Sequence, residues 1–217
     1  MYRLYCNYLP GKSSSEKHSM MNTKTLLTLG WITSATFILG TIFWGYQLDS
    51  YNAVSQTVSE IGKKGSPLYS QWQVFSIGVG FLILIFAFGI ISYAKKRSKS
   101  LVPGIFMLVY GLSQVAMGSF PSPHPLHNIF GLSMIIGYFT PLVFALTWRK
   151  YPETSFRKIS FLSFLLILIG IILNLSPAFA PELYPLEYYG LVQRLLLFTF
   201  YGYLAYLSFR FTSKKFY

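Results

Sequence analysis

The chain has 217 residues, of which 53% are hydrophobic and 11% are charged, and its formal net charge is +12. The basic residues fall into four short clusters rather than one patch, which argues against a nucleic-acid-binding protein. The single cysteine, Cys6, excludes an internal disulfide bond and a cysteine-based metal site.

Six long apolar runs follow one another along the chain. Each contains about 17–21 residues and, at about 1.5 Å of rise per residue, is long enough to cross a hydrocarbon core of about 30 Å. Because backbone polar groups in a bilayer must be hydrogen-bonded internally, we expect helices. The sequence predicts an all-α, six-transmembrane-helix up-and-down bundle within residues 24–211. The predicted spans are 26–46, 74–94, 101–119, 129–148, 159–175 and 189–209.

The distribution of charge predicts the orientation of the bundle. Fifteen of the eighteen basic residues lie before the first span, in the second and fourth connections, or after the sixth span. By the positive-inside rule these segments face the cytoplasm, so we expect a multi-pass plasma-membrane protein with cytoplasmic termini. Residues 1–23 and 212–217 would be cytoplasmic tails, the first of them disordered. Met20 or Met21 is an alternative start of translation.

Glycine and proline residues in the apolar runs predict how the helices pack. Gly104, Gly111 and Gly118 are seven residues apart, so they share one face of the third span and permit a close helix contact. Pro141 removes a backbone hydrogen bond and should kink the fourth span. The two short connections on either side of the third span place the second, third and fourth spans side by side.

The first outer loop is the longest and contains a predicted short interfacial helix. Ser50 or Asn52 would cap its start, and Gly62 would end it. Its apolar side chains recur at helical spacing and would face the membrane. Ser59 and Glu60 would then point toward the mouth of the bundle. The alternative is a solvated helix on the surface.

The second outer loop, SFPSPHPLHN, contains two histidines. Asn128 is placed to cap the fourth span, and the partial positive charge of that helix end favours a neutral imidazole at His127. A neutral imidazole can act as a base or as a metal ligand. The alternative is that His127 bonds a backbone carbonyl and shapes the loop. His124 and His127 have H-x-x-H spacing, but zinc needs three or four ligands and Glu60 would have to contribute, so we predict no metal or other cofactor.

Arg194 lies inside the sixth predicted span. A cation at that depth costs at least about 2.5–3.5 kcal/mol unless its long side chain reaches the interface or finds a partner. Glu187, Glu60 or Glu182 would be available as partners at the outer face. One interpretation is that Arg194 joins the positive ends of the outward-starting helices in binding an anion. The alternative is an ion pair that only stabilises the bundle.

Three stretches, YNAVSQTVSEIGKKGSP, FPSPHPLHN and GLVQR, occur in this order. Together they resemble the bacterial and archaeal membrane proteins called domain of unknown function 998, over roughly residues 24–211. The resemblance implies a six-helix integral membrane protein and implies no activity. Members have an acidic residue near the position of Ser122 or His124, so this chain departs from the pattern there. The positions that match the motifs are Ser59, Glu60, Gly62, Pro121, His127, Asn128 and Arg194.

Three functions remain open from the sequence. The first is a binding protein that holds a lipid headgroup or another anion at the extracytoplasmic mouth of the bundle, through Arg194 and Asn128. The second is a hydrolase or transferase that acts on a lipid or isoprenoid headgroup. It would use His127 and Glu60 as base and acid, Arg194 as an anion clamp, and Ser59 as a weak nucleophile. The third is a small transporter. Membrane lipids are the expected partners.

Overall fold

The computed structural model describes residues 14–148 and 154–213, and these residues form helices and loops without a strand. A five-residue 3₁₀ helix, Val58–Gly62, lies in the first loop, and three shorter 3₁₀ segments lie between the last two long helices. The α-helices are α1 Ser14–Tyr46, α2 Tyr69–Lys96, α3 Val102–Ser119, α4 Pro125–Tyr138, α5 Thr140–Thr147, α6 Thr154–Leu175 and α7 Tyr189–Thr212.

Five segments in the described part of the chain are long and apolar enough to cross a membrane. They lie in α1, α2, α3, the α4–α5 pair and α6, as predicted for the first five spans. α7 does not reach the same hydropathy, because Gln193, Arg194 and several tyrosines interrupt its apolar residues. The fold is therefore a helical bundle of a multi-pass membrane protein. The five segments are Asn22–Tyr46, Tyr69–Lys96, Val102–Ser119, Pro125–Thr147 and Ser155–Ala178.

The helices form a ring in which each packs against the next, and α7 returns to pack against α1. Two hydrogen bonds from serine hydroxyls to backbone carbonyls join the first and last helices. Ser208 Oγ donates to the carbonyl of Leu27 at 2.6 Å, and Ser34 Oγ donates to the carbonyl of Tyr201 at 2.6 Å. The residue numbers run in opposite directions along this contact, so α1 and α7 are antiparallel. This arrangement is the predicted up-and-down topology.

The glycine face predicted on α3 packs against α2, as expected. A Cβ atom on Gly111 would lie 3.2 Å from the backbone nitrogen of Leu84, and one on Gly118 would lie 2.9 Å from that of Ile77. Gly104 faces the same neighbour one heptad earlier. At Gly111 and Gly118 the two helices thus approach so closely that a side chain would press on the α2 backbone, and at Gly104 it would collide with the side chain of Ile91.

The fourth predicted span is divided at Phe139, two residues before Pro141, which confirms the predicted kink. Proline has no N–H to continue the helical ladder, and Phe139 becomes the cap shared by α4 and α5. The break gives the two halves different partners. α4 packs along α3, α5 packs mainly against α6, and α4 itself touches α6 at few points.

Several predicted boundaries differ from the observed ones. α1 begins at Ser14, so residues 14–23 of the tail predicted to be disordered are helical, while residues 1–13 and 214–217 lie outside the described part of the chain. α4 begins at Pro125 rather than at residue 129, because proline suits the first position of a helix.

Candidate functional site

Three loops meet at one end of the bundle, which we call the loop end: residues 47–68, 120–124 and 176–188. The backbone N–H of Lys64 donates to the carbonyl of Ser122 at 2.8 Å and joins the first two loops. A cavity of about 720 Å³ lies beneath these loops and extends between the helices. All of the predicted site residues except Arg194 and His124 line it.

The cavity is polar near the loops and apolar toward its floor. Its upper wall carries hydroxyl, carboxylate, ammonium, imidazole and amide groups from the first two loops and the start of α4. Its floor is formed by apolar side chains of α1, α4 and α7. The polar group comprises Ser59, Glu60, Lys63, His127 and Asn128, and the floor includes Phe37, Met134, Tyr138, Leu196 and Leu197.

Closely packed aromatic rings lie around the floor. The rings of Phe37 and Tyr201 are stacked with centroids 3.8 Å apart, and Tyr138 meets Phe200 edge to face at 5.1 Å. Phe200 and Tyr201 are fully buried. The upper polar groups therefore sit above an apolar aromatic layer, and an amphipathic ligand would match this gradient.

Glu60 is held by the start of the 3₁₀ helix. Its Oε2 accepts from the N–H and the hydroxyl of Thr57, at 2.6 and 2.7 Å, in a capping box. Its other oxygen, Oε1, accepts no hydrogen bond from the described residues. One carboxylate oxygen thus fixes the side chain, while the other can accept a hydrogen bond from a ligand.

His127 is oriented by the second loop. Its Nδ1 lies 2.9 Å from the carbonyl oxygen of Phe120. Because a carbonyl can only accept, Nδ1 carries the hydrogen, and the neutral ring then has its lone pair on Nε2. The alternative predicted for His127, a bond to a backbone carbonyl, is confirmed, and this bond also leaves Nε2 as a potential base or acceptor.

The structure assigns the neighbouring polar residues different roles from those predicted. Asn128 lies in the first turn of α4 and lines the cavity, whereas the cap is His124, whose Nδ1 accepts from the N–H of Leu126 at 3.2 Å. The prediction that Asn128 caps the fourth span is therefore wrong.

Ser59, the predicted weak nucleophile, has its Oγ hydrogen-bonded to the Thr57 hydroxyl at 3.1 Å. In residues 14–148 and 154–213, no three histidine, cysteine or acidic side chains are grouped to hold a metal ion.

Arg194 does not line the cavity. Its Nη1 donates to the carbonyls of Ala53, Gln56 and Gly190 at 2.7, 2.8 and 2.9 Å, and its Nη2 donates to the hydroxyl of Tyr51. Arg194 thus lies outside the lining of the cavity that contains His127 and Glu60, and its hydrogen-bond acceptors are backbone carbonyls and a phenol rather than a glutamate. Arg194 is a residue that fastens the first loop to α7.

The N-terminus of α7 is also occupied by this loop. The N–H of Leu191 donates to the carbonyl of Val54 at 3.0 Å, and Gln193 Oε1 accepts from the N–H of Val58 at 2.6 Å. The N–H of Leu191 is therefore bonded to a loop carbonyl and is not left for an anion, whereas binding of an anion at this end of the bundle stays a prediction. The first loop does not form the interfacial helix predicted from Ser50 or Asn52 to Gly62, because only Val58–Gly62 is helical. Val58 and Ile61, which were predicted to face the membrane, are buried inside the protein.

Sequence reasoning missed three residues that shape the site. Thr57 and Glu60 form a T-x-x-E signature, which is a recognisable capping box. Tyr51 and Gln193 carry no comparable local signal, because Arg194 and Val58, their respective partners across the loop–α7 contact, lie more than 130 residues away in sequence. Burial raises the pKa of the Tyr51 phenol, and the nearby Arg194 opposes this shift. The phenol therefore stays protonated and donates to the Thr57 carbonyl at 2.8 Å.

The amino-acid sequence was compared with models of known protein families. A family model described as "Protein of unknown function (DUF998)" matches residues 31–210. The chain belongs to the DUF998 family. No curated protein and no solved structure matches it. Every residue that lines the cavity lies within the part matched by the DUF998 model, as do Tyr51 and Arg194.

Proposed function

We propose that this DUF998 protein crosses the plasma membrane six times, with both termini in the cytoplasm. α7 would be the sixth span. It contains 24 residues, long enough for about 36 Å at 1.5 Å per residue, and it runs antiparallel to α1. Its polar residues near the loop end are hydrogen-bonded to the first loop, which lowers the cost of placing them near the membrane. The basic segments then lie opposite the loop end, which becomes extracytoplasmic.

We further propose that the loop-end cavity binds a phospholipid headgroup. This proposal rests on the change from polar to apolar side chains within one cavity, from Glu60 and His127 near the loops to an aromatic floor. Glu60 Oε1 and His127 Nε2 can accept hydrogen bonds from an ammonium or hydroxyl group. Lys63, which also lines the cavity, can meet a phosphate. The headgroup expected here therefore carries both a donor group and a phosphate.

The test compares lipids retained by the purified protein with lipids of the membrane from which it was extracted. Glu60→Gln keeps an acceptor for Thr57 while removing the charge, and His127→Asn keeps a donor for the Phe120 carbonyl while removing Nε2. His124→Asn is the control, because His124 is exposed and does not line the cavity. Mass spectrometry would measure the lipid bound per protein.

We expect the wild-type protein and His124→Asn to retain one phospholipid class well above its share in the membrane. Each cavity variant should reduce that retention about tenfold or more, since a charge-assisted hydrogen bond contributes roughly 1.5–3 kcal/mol. Retained lipid that merely mirrors the membrane composition in all four proteins would refute headgroup binding.

A headgroup hydrolase or transferase is the second candidate, and the fixed orientation of His127 favours it. With Nδ1 bonded to the Phe120 carbonyl, Nε2 can remove a proton from a water molecule or a substrate hydroxyl. Ser59 is bonded to Thr57 rather than to His127, so water is the better nucleophile. Release of a labelled headgroup from phosphatidylethanolamine by the wild-type protein, and its loss in His127→Asn, would establish this activity over simple binding.

Transport is less well supported. A transporter needs a polar route near the middle of the membrane. Gln114 lines the cavity and donates to Ser76 Oγ at 2.8 Å, but the cavity floor next to it is apolar and aromatic. The described side chains thus support a binding cavity better than a polar route across the bundle.

A further inference from the structure

We infer that the lipid enters the cavity sideways from the bilayer, through a gap between α4 and α6, and that its acyl chain remains in this gap. The inference rests on the proposed headgroup binding and adds the route and the position of the tail. It also restricts the ligand to a lipid with a membrane-embedded chain, as opposed to a water-soluble headgroup compound.

The gap follows from the break in the fourth span. Below Phe139, α5 packs against α6 and closes the ring of helices on that side. Above Phe139, α4 follows α3 instead and barely touches α6. Tyr138, the last residue of α4, lies at this break and lines the cavity. The ring of helices is therefore open on one side at the depth of the cavity.

The residues of this gap face both the cavity and the surroundings of the bundle. Leu132 on α4 lines the cavity and is nonetheless 55% exposed, and Leu175 on α6 lines it and is 38% exposed. Gly131, next to Leu132 in α4, also lines the cavity, and a Cβ atom there would meet only Met117 Sδ of α3, at 3.9 Å. Apolar side chains that line a cavity and also lie on the lipid-facing surface can pack against an acyl chain that passes from one to the other.

Polar groups lie where the same gap approaches the loop end. Asn128 on α4 and Asn174 on α6 both line the cavity, and Asn174 Nδ2 is occupied by the carbonyls of Gly170 and Val192. Its amide oxygen accepts no hydrogen bond from the described residues and is available to a headgroup donor. A lipid seated here would place its headgroup beside Asn128, Glu60 and His127 and its tail past Leu132, which is the normal order of polar and apolar groups across a leaflet.

The experiment blocks the gap and leaves the rest of the surface unchanged. Gly131→Leu adds a side chain that narrows the cavity beside Leu132, on the side of Met117. Gly78→Leu is the matched control, because Gly78 is exposed on α2, has nothing within 4 Å of a Cβ, and does not line the cavity. Leu132→Trp is a second blocking variant. Thermal unfolding of each protein would identify any that does not fold.

The proteins would be placed in nanodiscs of phosphatidylethanolamine and phosphatidylglycerol that contain phosphatidylethanolamine with a diazirine in its acyl chain. After illumination, mass spectrometry would locate the crosslinked peptides. We expect crosslinks on α4 and α6 around Leu132 and Leu175 in the wild-type protein and in Gly78→Leu. Gly131→Leu and Leu132→Trp should lower them at least tenfold.

The other outcomes separate the two proposals. Crosslinks in folded Gly131→Leu and Leu132→Trp equal to those of the wild type, with retention still dependent on Glu60 and His127, would overturn lateral entry and leave headgroup binding in place. Competition by water-soluble dihexanoyl phosphatidylethanolamine as strong as that by the long-chain lipid would also overturn a role for the tail. Absence of any crosslink to cavity residues in the wild type would overturn the position of the acyl chain, whereas headgroup binding falls only if lipid retention does not depend on Glu60 and His127.

Discussion

Arg194 and Tyr51 are joined in two ways: Nη2 of the arginine donates a hydrogen bond to the phenol oxygen, and the guanidinium carbon lies 5.6 Å from the centre of the ring. The phenol in turn donates to the carbonyl of Thr57. Since Thr57 also holds Glu60, a continuous series of contacts connects α7 to the cavity wall. Arg194 thus acts on the site through the position of the first loop.

Replacing Arg194 should reduce the stability of the protein. Arg194→Met removes a donor from the carbonyls of Ala53 and Gln56, and because these acceptors are exposed or half-buried we expect a loss of about 0.5–1.5 kcal/mol per hydrogen bond. Arg194→Lys should recover part of this loss, because an ammonium can still donate to the carbonyls but does not reproduce the planar contact with Tyr51. Thermal unfolding in detergent would measure the change, with Arg157→Met at an exposed position as control. Unchanged unfolding together with lost lipid retention would instead make Arg194 a ligand-binding residue.

Two glycines of α7 should respond in opposite ways to alanine. A Cβ on Gly190 would come within 2.6 Å of the Ala53 carbonyl and 2.8 Å of the Val54 carbonyl, so Gly190→Ala must displace the first loop, at about 1–3 kcal/mol. Gly202 has nothing within 4 Å, and Gly202→Ala should stabilise the helix by roughly 0.5–1 kcal/mol. Apparent melting temperatures of the two variants would check this; equal values would contradict the observed docking of the loop.

Gln193 should matter for binding through the position of the 3₁₀ helix. Gln193→Leu removes the acceptor of the Val58 N–H and should lower both the thermal stability and the lipid retention. Gln193→Glu keeps an acceptor and should preserve the fold. The comparison of the two variants by unfolding and by bound lipid would test this. Full retention in Gln193→Leu would show that Val58 finds another acceptor without moving Glu60.

The proposed orientation predicts which positions a membrane-impermeant thiol reagent can reach in intact cells. In a Cys6→Ser background, Lys64→Cys at the loop end should be labelled from outside, whereas Lys95→Cys at the other end should require permeabilised cells. Both lysines are exposed. Labelling of Lys95→Cys, and not of Lys64→Cys, in intact cells would invert the topology and place the cavity mouth in the cytoplasm.

The helical bundle could be predicted from sequence because long apolar runs and glycine spacing are local properties. Gly111 and Gly118 indicated a close helix contact, which the structure shows to be with α2, and Pro141 indicated the break, since each acts on the backbone directly. The start of the fourth helix was misjudged because Asn128 is a good cap in general. Here Pro125 occupies the first helical position, so the residue before it, His124, is the N-cap.

The role of Arg194 could not be read from sequence. Its acceptors are carbonyls more than 130 residues away, and any residue type supplies a carbonyl. A search for charged partners therefore pointed to the glutamates. The first loop was misjudged for the same reason. Its apolar residues do recur at helical spacing, but its backbone carbonyls accept hydrogen bonds from α7. In a continuous helix the same carbonyls would have to accept from N–H groups of the loop itself.

The contact between α1 and α7 has a consequence for biosynthesis. A ribosome makes α1 first, but the α7 carbonyl that accepts from Ser34 and the ring that stacks on Phe37 both belong to Tyr201, which follows Ser34 by 167 residues. During that interval one side of α1 faces lipid, an insertion factor or a chaperone. The loop-end cavity, which α7 helps to line, is therefore completed only when translation has passed α7.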